Sequence, residues 1–265
     1  MASDLQANAD RFSGFADLYD GARPTPPVEL APLLASYAGV EVPDLVVDIG
    51  SGTGLSTRWC ASWARHVIGV EPNADMRDAA ARQASADVEY RDGYSHDTGL
   101  PDACADLVVA VQALHWMEPI STFAEAARIL RPGGVFAALD CDWPPSVGDA
   151  RAEAAWTRCR AECRKAEAQV DEGVRRWAKE SHLQHMAESG AFRWTGEVAL
   201  HRIEPGDADR FVDLLRSQGD LQTVVKRGYT EEQLGVDAFR AECVAAFGTG
   251  PRDIVFTYRV RIGVT

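Results

Sequence analysis

The sequence lacks long hydrophobic runs and an excess of basic charge. No stretch of about 18 consecutive apolar residues occurs, so no membrane-spanning helix is predicted. The first residues, MASDLQANADRF, are polar and lack the apolar centre of a secretory signal. Lys and Arg total 27 against 40 Asp and Glu, and this net charge of −13 argues against broad nucleic-acid binding. We therefore expect a cytoplasmic protein whose partners include neither nucleic acid nor a membrane; its oligomeric state stays open.

Paired cysteines are also missing. The chain has six cysteines but no Cys-x-x-Cys pair. Cys159 and Cys163 are spaced to share a helix face, yet no third and fourth ligand lies nearby in the sequence. We therefore expect reduced thiols that lie mostly in the core, and no metal site.

Strand-like and helix-like segments alternate over the first half of the chain. The predicted helices are Leu55–Arg65, Asn73–Ala84 and Ile120–Leu130. The predicted strands are Leu45–Ile49, His66–Val70, Val88–Arg91, Asp106–Val111 and Val135–Cys141. This order is typical of βαβ units, which build a parallel sheet with helices on both faces.

The alternation breaks after residue 148. Residues 149–189 are charged but contain an apolar stripe with helical spacing, and a second helix is predicted from Val174 to Glu188. Further helices are predicted at Asp207–Ser217 and Thr230–Phe247, and further strands at Trp194–Ile203 and Ile254–Ile262, the last of them antiparallel. We expect the inserted helices to form a lid at the carboxyl ends of the strands, where open α/β sheets bind ligands.

A glycine-rich segment joins the first predicted strand to the helix that follows it. It reads Asp48-Ile49-Gly50-Ser51-Gly52-Thr53-Gly54. Its alternating glycines let the backbone approach a ligand closely. Glu71 ends the next strand, 17 residues after Gly54, where an acidic side chain can accept both hydroxyls of a ribose. The nicotinamide-dinucleotide fingerprint G-x-G-x-x-G would need a glycine where this chain has Leu55.

Four further motifs follow in order: RDGYSH at 91–96, TGLPD at 98–102, QALHWM at 112–117 and RILRPGG at 128–134. Together with the glycine-rich segment they resemble the class I S-adenosylmethionine-dependent methyltransferases. Over residues 12–141 the chain is similar to the small-molecule branch, the ubiquinone-biosynthesis and trans-aconitate types. The resemblance implies an α/β fold with a Rossmann-like, doubly wound, seven-stranded sheet, an antiparallel last strand and an inserted helical lid. It divides the chain into an N-terminal helical cover (1–40), a cofactor-binding core (41–145), a helical lid (146–193) and a C-terminal completion of the sheet with inserted helices (194–265).

The resemblance also assigns residues to S-adenosylmethionine. The implied cofactor-binding residues are Tyr19, Asp48, Gly50, Ser51, Gly52, Glu71, Pro72, Asn73, Met76, Gly93, Ser95, His96 and Gln112. Tyr19 would close over the sulfonium through a cation–π contact, and the backbone of Gln112 would meet the ammonium. Many relatives have an acid at the adenine edge, where this chain has Ser95 and His96, with Asp92 just before them. Which side chain meets the adenine amine stays open.

The acceptor side has its own candidates. His115, His96 and Tyr19 are candidate catalytic bases, needed only if the nucleophile must lose a proton. The candidate substrate-binding residues are Arg23, His115, Trp116, Trp143, Arg175 and Arg176. Three of them have a second interpretation: His115 as a structural histidine, Arg23 as a partner of the methionine carboxylate, and the Arg175–Arg176 pair as a solvated helix face. Asp140 and Asp142 lie where some catechol-type methyltransferases bind magnesium, but a third ligand is not evident.

The reaction implied is in-line transfer of a methyl group from S-adenosylmethionine to a small molecule. Two alternatives stay open: C-methylation of the alkene of a prenyl diphosphate, and a non-catalytic cofactor-binding module. A DNA methyltransferase would have an N-P-P-Y/F tetrapeptide or a Pro-Cys nucleophile, and the sequence has neither.

Overall fold

A seven-stranded mixed sheet organises the protein. The computed structural model describes residues 20–170 and 175–265. The strands are β1 (Leu45–Ile49), β2 (His66–Val70), β3 (Val88–Arg91), β4 (Ala105–Val111), β5 (Leu130–Cys141), β6 (Trp194–Gly206) and β7 (Arg252–Val264). Their order across the sheet is β3-β2-β1-β4-β5-β7-β6. β1 to β5 run parallel, whereas β7 is antiparallel to both β5 and β6. The predicted Rossmann-like sheet with an antiparallel last strand is confirmed.

Helices connect and cover the strands. They are α1 (Leu30–Tyr37), α2 (Leu55–Ala61), α3 (Ala74–Ala81), α4 (Pro119–Ile129), α5 (Ala150–Val170), α6 (His182–Glu188), α7 (Ala208–Arg216), α8 (Gly219–Lys226) and α9 (Val236–Phe247), with short 3-10 turns at Leu114–Trp116 and Lys179–Ser181. None of the helices in the described residues is both long and apolar enough to cross a membrane.

The central strands supply side chains to two apolar cores. Val46 and Leu107 belong to one core, while their chain neighbours Val47 and Val108 belong to the other. Successive side chains of a strand point to opposite faces, so a strand covered on both faces must be apolar throughout. This explains the unbroken apolar runs of β1 and β4, whose carboxyl ends lead into the predicted cofactor loops.

The long helix α5 packs into the first of these cores. The exposed fractions of Trp156, Cys159 and Cys163 are 1%, 4% and 0%, and the ring of Trp156 contacts those of Phe211 and Phe239 from α7 and α9. The apolar stripe predicted from the sequence therefore packs against other helices. The domain boundaries at residues 40, 145 and 193 stay predictions.

The second half departs from the predicted helices in two places. The helix predicted for Val174–Glu188 is wrong over residues 175–178, and residues 179–181 form a 3-10 turn before α6 begins at His182. The Trp177 N–H donates to the carbonyl of His115 at 2.9 Å, so tertiary contact replaces a helical hydrogen bond there. The helix predicted from Thr230 begins at Val236, after Gly235 adopts a φ of 76°. Helix α8 was not predicted, and Val174 lies outside the described residues.

Candidate active site

A cleft lies at the carboxyl ends of β1, β2, β4 and β5, where this class of sheet binds ligands. It encloses about 1200 Å³, including its open mouth. The sequence-predicted residues that line it are Arg23, Gly50, Ser51, Gly52, Glu71, Pro72, Met76, Ser95, His96, Gln112, Trp116 and Trp143. Asp48, Asn73, Gly93, His115, Arg175 and Arg176 lie outside this lining.

The glycine-rich loop presents bare backbone to the cleft. Gly50 and Gly52 have φ values of 69° and 55°, a region that side chains with a Cβ rarely adopt. A Cβ on Gly50 would lie 2.6 Å from Cε of Met117, whereas a Cβ on Gly52 would meet nothing within 4 Å. Gly50 is therefore required for packing, and Gly52 leaves open space beside the loop that a ligand can fill.

Glu71 ties this loop to the end of β2. Its Oε2 accepts a hydrogen bond from the Gly52 N–H at 3.0 Å, and its Oε1 accepts one from the Asn73 N–H at 2.9 Å. Burial raises the pKa of this carboxyl, although the two backbone donors act against that change. A carboxylate has about four lone-pair sites, so both oxygens can accept further hydroxyl groups. These features fit the ribose of an adenosyl ligand.

Three of the predicted cofactor residues support the site from behind. Asp48 is buried, and its Oδ2 accepts hydrogen bonds from the hydroxyls of Ser56 and Thr57, both at 2.7 Å. Burial raises the pKa of Asp48 to about 6. The Asn73 side chain caps α3 by accepting from the Met76 N–H. A Cβ on Gly93 would lie 2.9 Å from a methyl carbon of Val70, so Gly93 permits close packing beside the cleft.

At the predicted adenine edge, Ser95 and His96 line the cleft and Asp92 does not. The carboxylate of Asp92 instead pairs with Arg77 at 2.8 Å, and its side chain is 73% exposed. The hydroxyls of Ser95 and Thr122 are 2.8 Å apart. Of the alternatives that the sequence left open, the structure therefore brings Ser95 and His96 to the cleft.

Gln112 follows β4 in a left-handed conformation, with a φ of 54°. Such a conformation is costly outside glycine and persists where the surroundings impose it. Its N–H donates to the carbonyl of Leu139, and its Oε1 accepts from Nζ of Lys179 at 2.9 Å. Its Nε2 is buried without a partner among the described residues. The hydrogen-bond donors of this buried nitrogen are therefore unused among the described residues.

Aromatic and sulfur-containing residues line the part of the cleft near β5 and β7. Trp116 and Trp143 were predicted here, but Cys141 and Tyr258 were not. Burial raises the pKa of the Cys141 thiol to about 12, so it is protonated at neutral pH. The Tyr258 hydroxyl donates to the carbonyl of Pro24 at 2.9 Å. No sequence motif marks Tyr258, because only the pairing of β7 with β5 brings it beside Cys141.

Arg23 lines the same part of the cleft. Its guanidinium carbon lies 4.8 Å from the centroid of the Trp143 ring, and one of its nitrogens donates to the carbonyl of Ser217 at 2.8 Å. A guanidinium stacked on an indole face is held in place by a cation–π contact. Trp143 follows β5, so this contact places Arg23 against the β5 side of the cleft.

His115 lies behind the cleft wall. Its Nδ1 is 3.7 Å from an oxygen of Asp140, too far for a hydrogen bond. Burial, followed by the nearby positive charge of Lys179, holds the pKa of His115 well below its usual range. The imidazole is therefore neutral and accepts a proton only weakly at neutral pH. Neither its position nor its pKa favours the predicted role of general base.

The predicted arginine pair on the lid also lies outside the cleft lining. Arg176 makes two hydrogen bonds to the carboxylate of Glu167, at 2.6 and 2.9 Å, and stacks over the ring of Trp116 at 4.9 Å. Arg175 is exposed and lies over the ring of Trp177 at 4.7 Å. Arg176 thus supports a tryptophan of the cleft wall from outside, and the lining residues do not include an anion grip formed by this pair.

The predicted contact between Tyr19 and the sulfonium lies outside the described residues. Asp20, the first described residue, is anchored at the glycine-rich loop. Its carboxylate accepts hydrogen bonds from Thr53 Oγ1 and from Arg58, both at 2.6 Å. The chain therefore enters the described structure directly beside the cofactor loop.

The two acidic residues after β5 are both paired with basic side chains. Asp140 lies 2.8 Å from Lys179 and 2.8 Å from Arg261, and Asp142 pairs with Arg259 at 2.9 Å. Across residues 20–170 and 175–265, no group of three or more potential metal ligands was found. The expectation of metal-independent turnover stays a prediction.

Residues 47–138 match the methyltransferase domain family. The chain is 32% identical over 136 residues to a malonyl-[acyl-carrier protein] O-methyltransferase of Pectobacterium atrosepticum, covering 50% of this chain and 52% of that protein. It is 34% identical over 125 residues to a Dictyostelium discoideum protein assigned as a methyltransferase, covering 47% of this chain and 46% of that protein. These matches span about half the length of each relative.

A solved structure from Anaeromyxobacter dehalogenans, assigned as a type II methyltransferase, shares the fold. Its TM-score is 0.69 at 24% identity, and the alignment covers 91% of this chain and 97% of that one. The sheet order, the cleft and these matches define a class I methyltransferase fold. The match to the methyltransferase domain family covers residues 47–138, about a third of the chain.

Proposed function

We propose that this protein transfers a methyl group from S-adenosylmethionine to a small-molecule acceptor. The main observation in support of the proposal is the hydrogen bond between the Gly52 N–H and the Glu71 carboxylate. Gly52 leaves open space in the cleft, and its N–H is hydrogen-bonded to the buried carboxylate that ends β2. The Glu71 carboxylate thereby fixes the conformation of the loop and also offers hydrogen-bond acceptors for ribose hydroxyls.

Each part of the cleft has a task in this proposal. The loop at Gly50–Gly52 would hold the methionine part, Glu71 the ribose, and Ser95 and His96 the adenine edge. When bound, the cofactor supplies a methyl group on a positively charged sulfur, which is a good leaving group. The protein then needs mainly to align the two reactants and to exclude water. Trp116 and Trp143 would serve the second purpose on the acceptor side.

Calorimetric titration with S-adenosylhomocysteine and with NAD tests the choice of cofactor. We expect S-adenosylhomocysteine to bind at least tenfold more tightly, because Leu55 replaces a glycine that the dinucleotide fingerprint requires. Tighter binding of NAD would contradict the proposal. Binding of S-adenosylhomocysteine without transfer of label from methyl-labelled S-adenosylmethionine to any small molecule would instead support the non-catalytic module.

The prenyl diphosphate alternative requires a clamp for two phosphates. Arg23, Arg175 and Arg176 were its candidates, and of these Arg23 lines the cleft while the other two do not. This placement gives the alternative no support, and we do not propose it.

A further inference from the structure

The chain between α5 and α6 runs alongside the loop that follows β4. We call residues 176–179 the lid strap; they come just before α6 and lie outside it. The Trp177 N–H donates to the carbonyl of His115 at 2.9 Å. The Nζ of Lys179 donates to Oε1 of Gln112, also at 2.9 Å. Position 177 thus meets 115 and position 179 meets 112, so the two segments run in opposite directions.

The loop that the lid strap contacts is part of the cleft lining. Four of the residues at 112–117 line the cleft, whereas the strap residues do not. Arg176 of the strap stacks over the ring of Trp116 at 4.9 Å. On the other side, a Cβ on Gly50 would lie 2.9 Å from the Cβ of Ala113, so this loop also packs against the glycine-rich loop. The lid strap therefore supports one wall of the cleft from behind.

The left-handed conformation of Gln112 makes this support necessary. A φ of 54° is costly for a residue with a Cβ and persists only where the surroundings impose it. The Gln112 N–H donates to the carbonyl of Leu139 at 2.8 Å, and its Oε1 accepts from Lys179. The ammonium of Lys179 also lies 2.8 Å from Asp140, which pairs with Arg261 at the same distance. Lys179 is thereby fixed in place and holds the Gln112 amide in turn.

The order of the strands indicates which end of a ligand meets this loop. Ser95 and His96 follow β3, Glu71 follows β2, and Gln112 follows β4. These strands lie in the order β3-β2-β1-β4. A ligand with its adenine at the end of β3 and its ribose at the end of β2 must extend its remaining part toward β1 and β4. Gln112 therefore lies at the end of the ligand beyond the ribose.

We infer that Lys179 is a positioning residue for the part of the cofactor beyond the ribose, and that it acts through Gln112. This inference rests on the proposed function, which gives the places of the adenine and the ribose. Lys179 lies outside the cleft lining, so its effect on a ligand must be indirect. Without its ammonium, Oε1 of Gln112 loses its donor and the residue is free to leave the left-handed conformation. The loop would then present a different surface to the ligand.

Two ligands that share an adenosine group show where Lys179 acts. S-adenosylhomocysteine carries a thioether and an amino acid beyond its ribose, whereas adenosine ends at its 5′ hydroxyl. In Lys179→Met we expect the Kd for S-adenosylhomocysteine to rise about tenfold, the scale of one hydrogen bond. The Kd for adenosine, measured by displacement, should change less than about twofold. Lys179→Arg should bring the first Kd back to within about threefold of the native value, because a guanidinium also donates to an amide and a carboxylate.

A double-mutant cycle tests whether the effect passes through Gln112. Gln112→Met keeps a side chain of similar length but removes the amide. In that background, Lys179→Met should change the Kd for S-adenosylhomocysteine less than about twofold, because the contact is already absent. Lys165→Met is the matched control, since Lys165 is 69% exposed and lies outside the cleft lining. It should leave both Kd values unchanged, and thermal melting checks that every variant is folded.

Native-state hydrogen exchange gives a measurement that needs no variant. Coupling between two sites is reciprocal, so a ligand whose binding depends on the lid strap must also stabilise the strap. S-adenosylhomocysteine should therefore slow exchange of the Trp177 N–H more than saturating adenosine does.

Four results would overturn the inference. An unchanged Kd for S-adenosylhomocysteine in folded Lys179→Met would show that the residue does not affect the ligand. Equal losses for both ligands would show that it only supports the fold. A loss that persists beside Gln112→Met would show that Lys179 acts by another route, and equal exchange of the Trp177 N–H with both ligands would remove the coupling. Failure of the native protein to bind S-adenosylhomocysteine would contradict the proposed function itself, which is a different outcome.

Discussion

Replacing Glu71 with alanine separates its observed hydrogen bonds to the loop from its proposed role as partner of the ribose. The change removes the acceptor of the Gly52 and Asn73 N–H groups and also the predicted partner of the ribose. A buried donor left without an acceptor costs about 1–3 kcal/mol. Water in the cleft can replace part of each bond, and the variant also loses the cost of burying a charge. We therefore expect a net loss of about 1–3 kcal/mol in the free energy of unfolding.

The effect on ligand affinity is of similar size but has a separate readout. Hydrogen bonds to a charged group contribute about 1.5–3 kcal/mol. We therefore expect the Kd for S-adenosylhomocysteine to rise by roughly 10- to 150-fold. The loss of stability corresponds to a fall in Tm of roughly 2–12 °C for a chain of this size.

Calorimetry and thermal melting of the same preparations measure both quantities. Glu89→Ala is the matched control, because Glu89 lies on the neighbouring strand β3, is 55% exposed and pairs only locally with Arg91. The control should leave both values nearly unchanged. A folded Glu71→Ala variant whose Kd stays within threefold of the native value would refute the ribose assignment, even if its Tm falls.

Three further predictions concern the loop, the buried acid beneath it and metals. Gly52→Ala and Gly99→Ala both place a side chain at positive φ in open space, so each should cost about 1–2 kcal/mol of stability. Only the Gly52 variant should weaken S-adenosylhomocysteine binding, by tenfold or more, and equal affinities would place the ligand elsewhere. Burial raises the pKa of Asp48 to about 6, so the folded state favours the protonated side chain. The stability that this protonation contributes is lost as the pH rises through that value. Between pH 4 and 7.5 the native protein should therefore lose about 2–3 kcal/mol relative to Asp48→Asn, and parallel pH profiles would contradict the raised pKa. EDTA should leave methyl transfer unchanged, and a loss restored by magnesium would disprove metal independence.

The cofactor half of the site was predictable because its signals are local. Gly50 and Gly52 lie in one short turn whose backbone needs positive φ, and Glu71 ends the next strand. In a parallel sheet the carboxyl ends of neighbouring strands meet at one edge, so residues at successive strand ends converge without any knowledge of packing. The sequence thereby identified most of the lining on this side.

The acceptor half was less predictable because its residues come from parts of the chain that are far apart in the sequence. The Arg175–Arg176 pair was a candidate anion grip or a solvated helix face; in the structure Arg176 pairs with Glu167, and neither arginine lines the cleft. His115 was a candidate base, but it lies outside the cleft lining, and burial lowers its pKa and so weakens it as a base. Charge and spacing are visible in a sequence, whereas the direction of a side chain and its desolvation depend on what packs around it.

The alternation of strands and helices in the parallel half, the glycine-rich turn and the acid that ends β2 could all be predicted from the sequence. Each depends on backbone conformation or apolar periodicity within a few neighbouring residues. The acceptor side depends on contacts between residues that are far apart in the sequence. Tyr258 reaches Cys141 through the antiparallel pairing of β7 with β5, and Arg23 reaches Trp143 across more than a hundred residues of chain. Contacts like these form because many packing interactions between distant parts of the chain favour them together. No pattern within a short stretch of sequence predicts that combined effect.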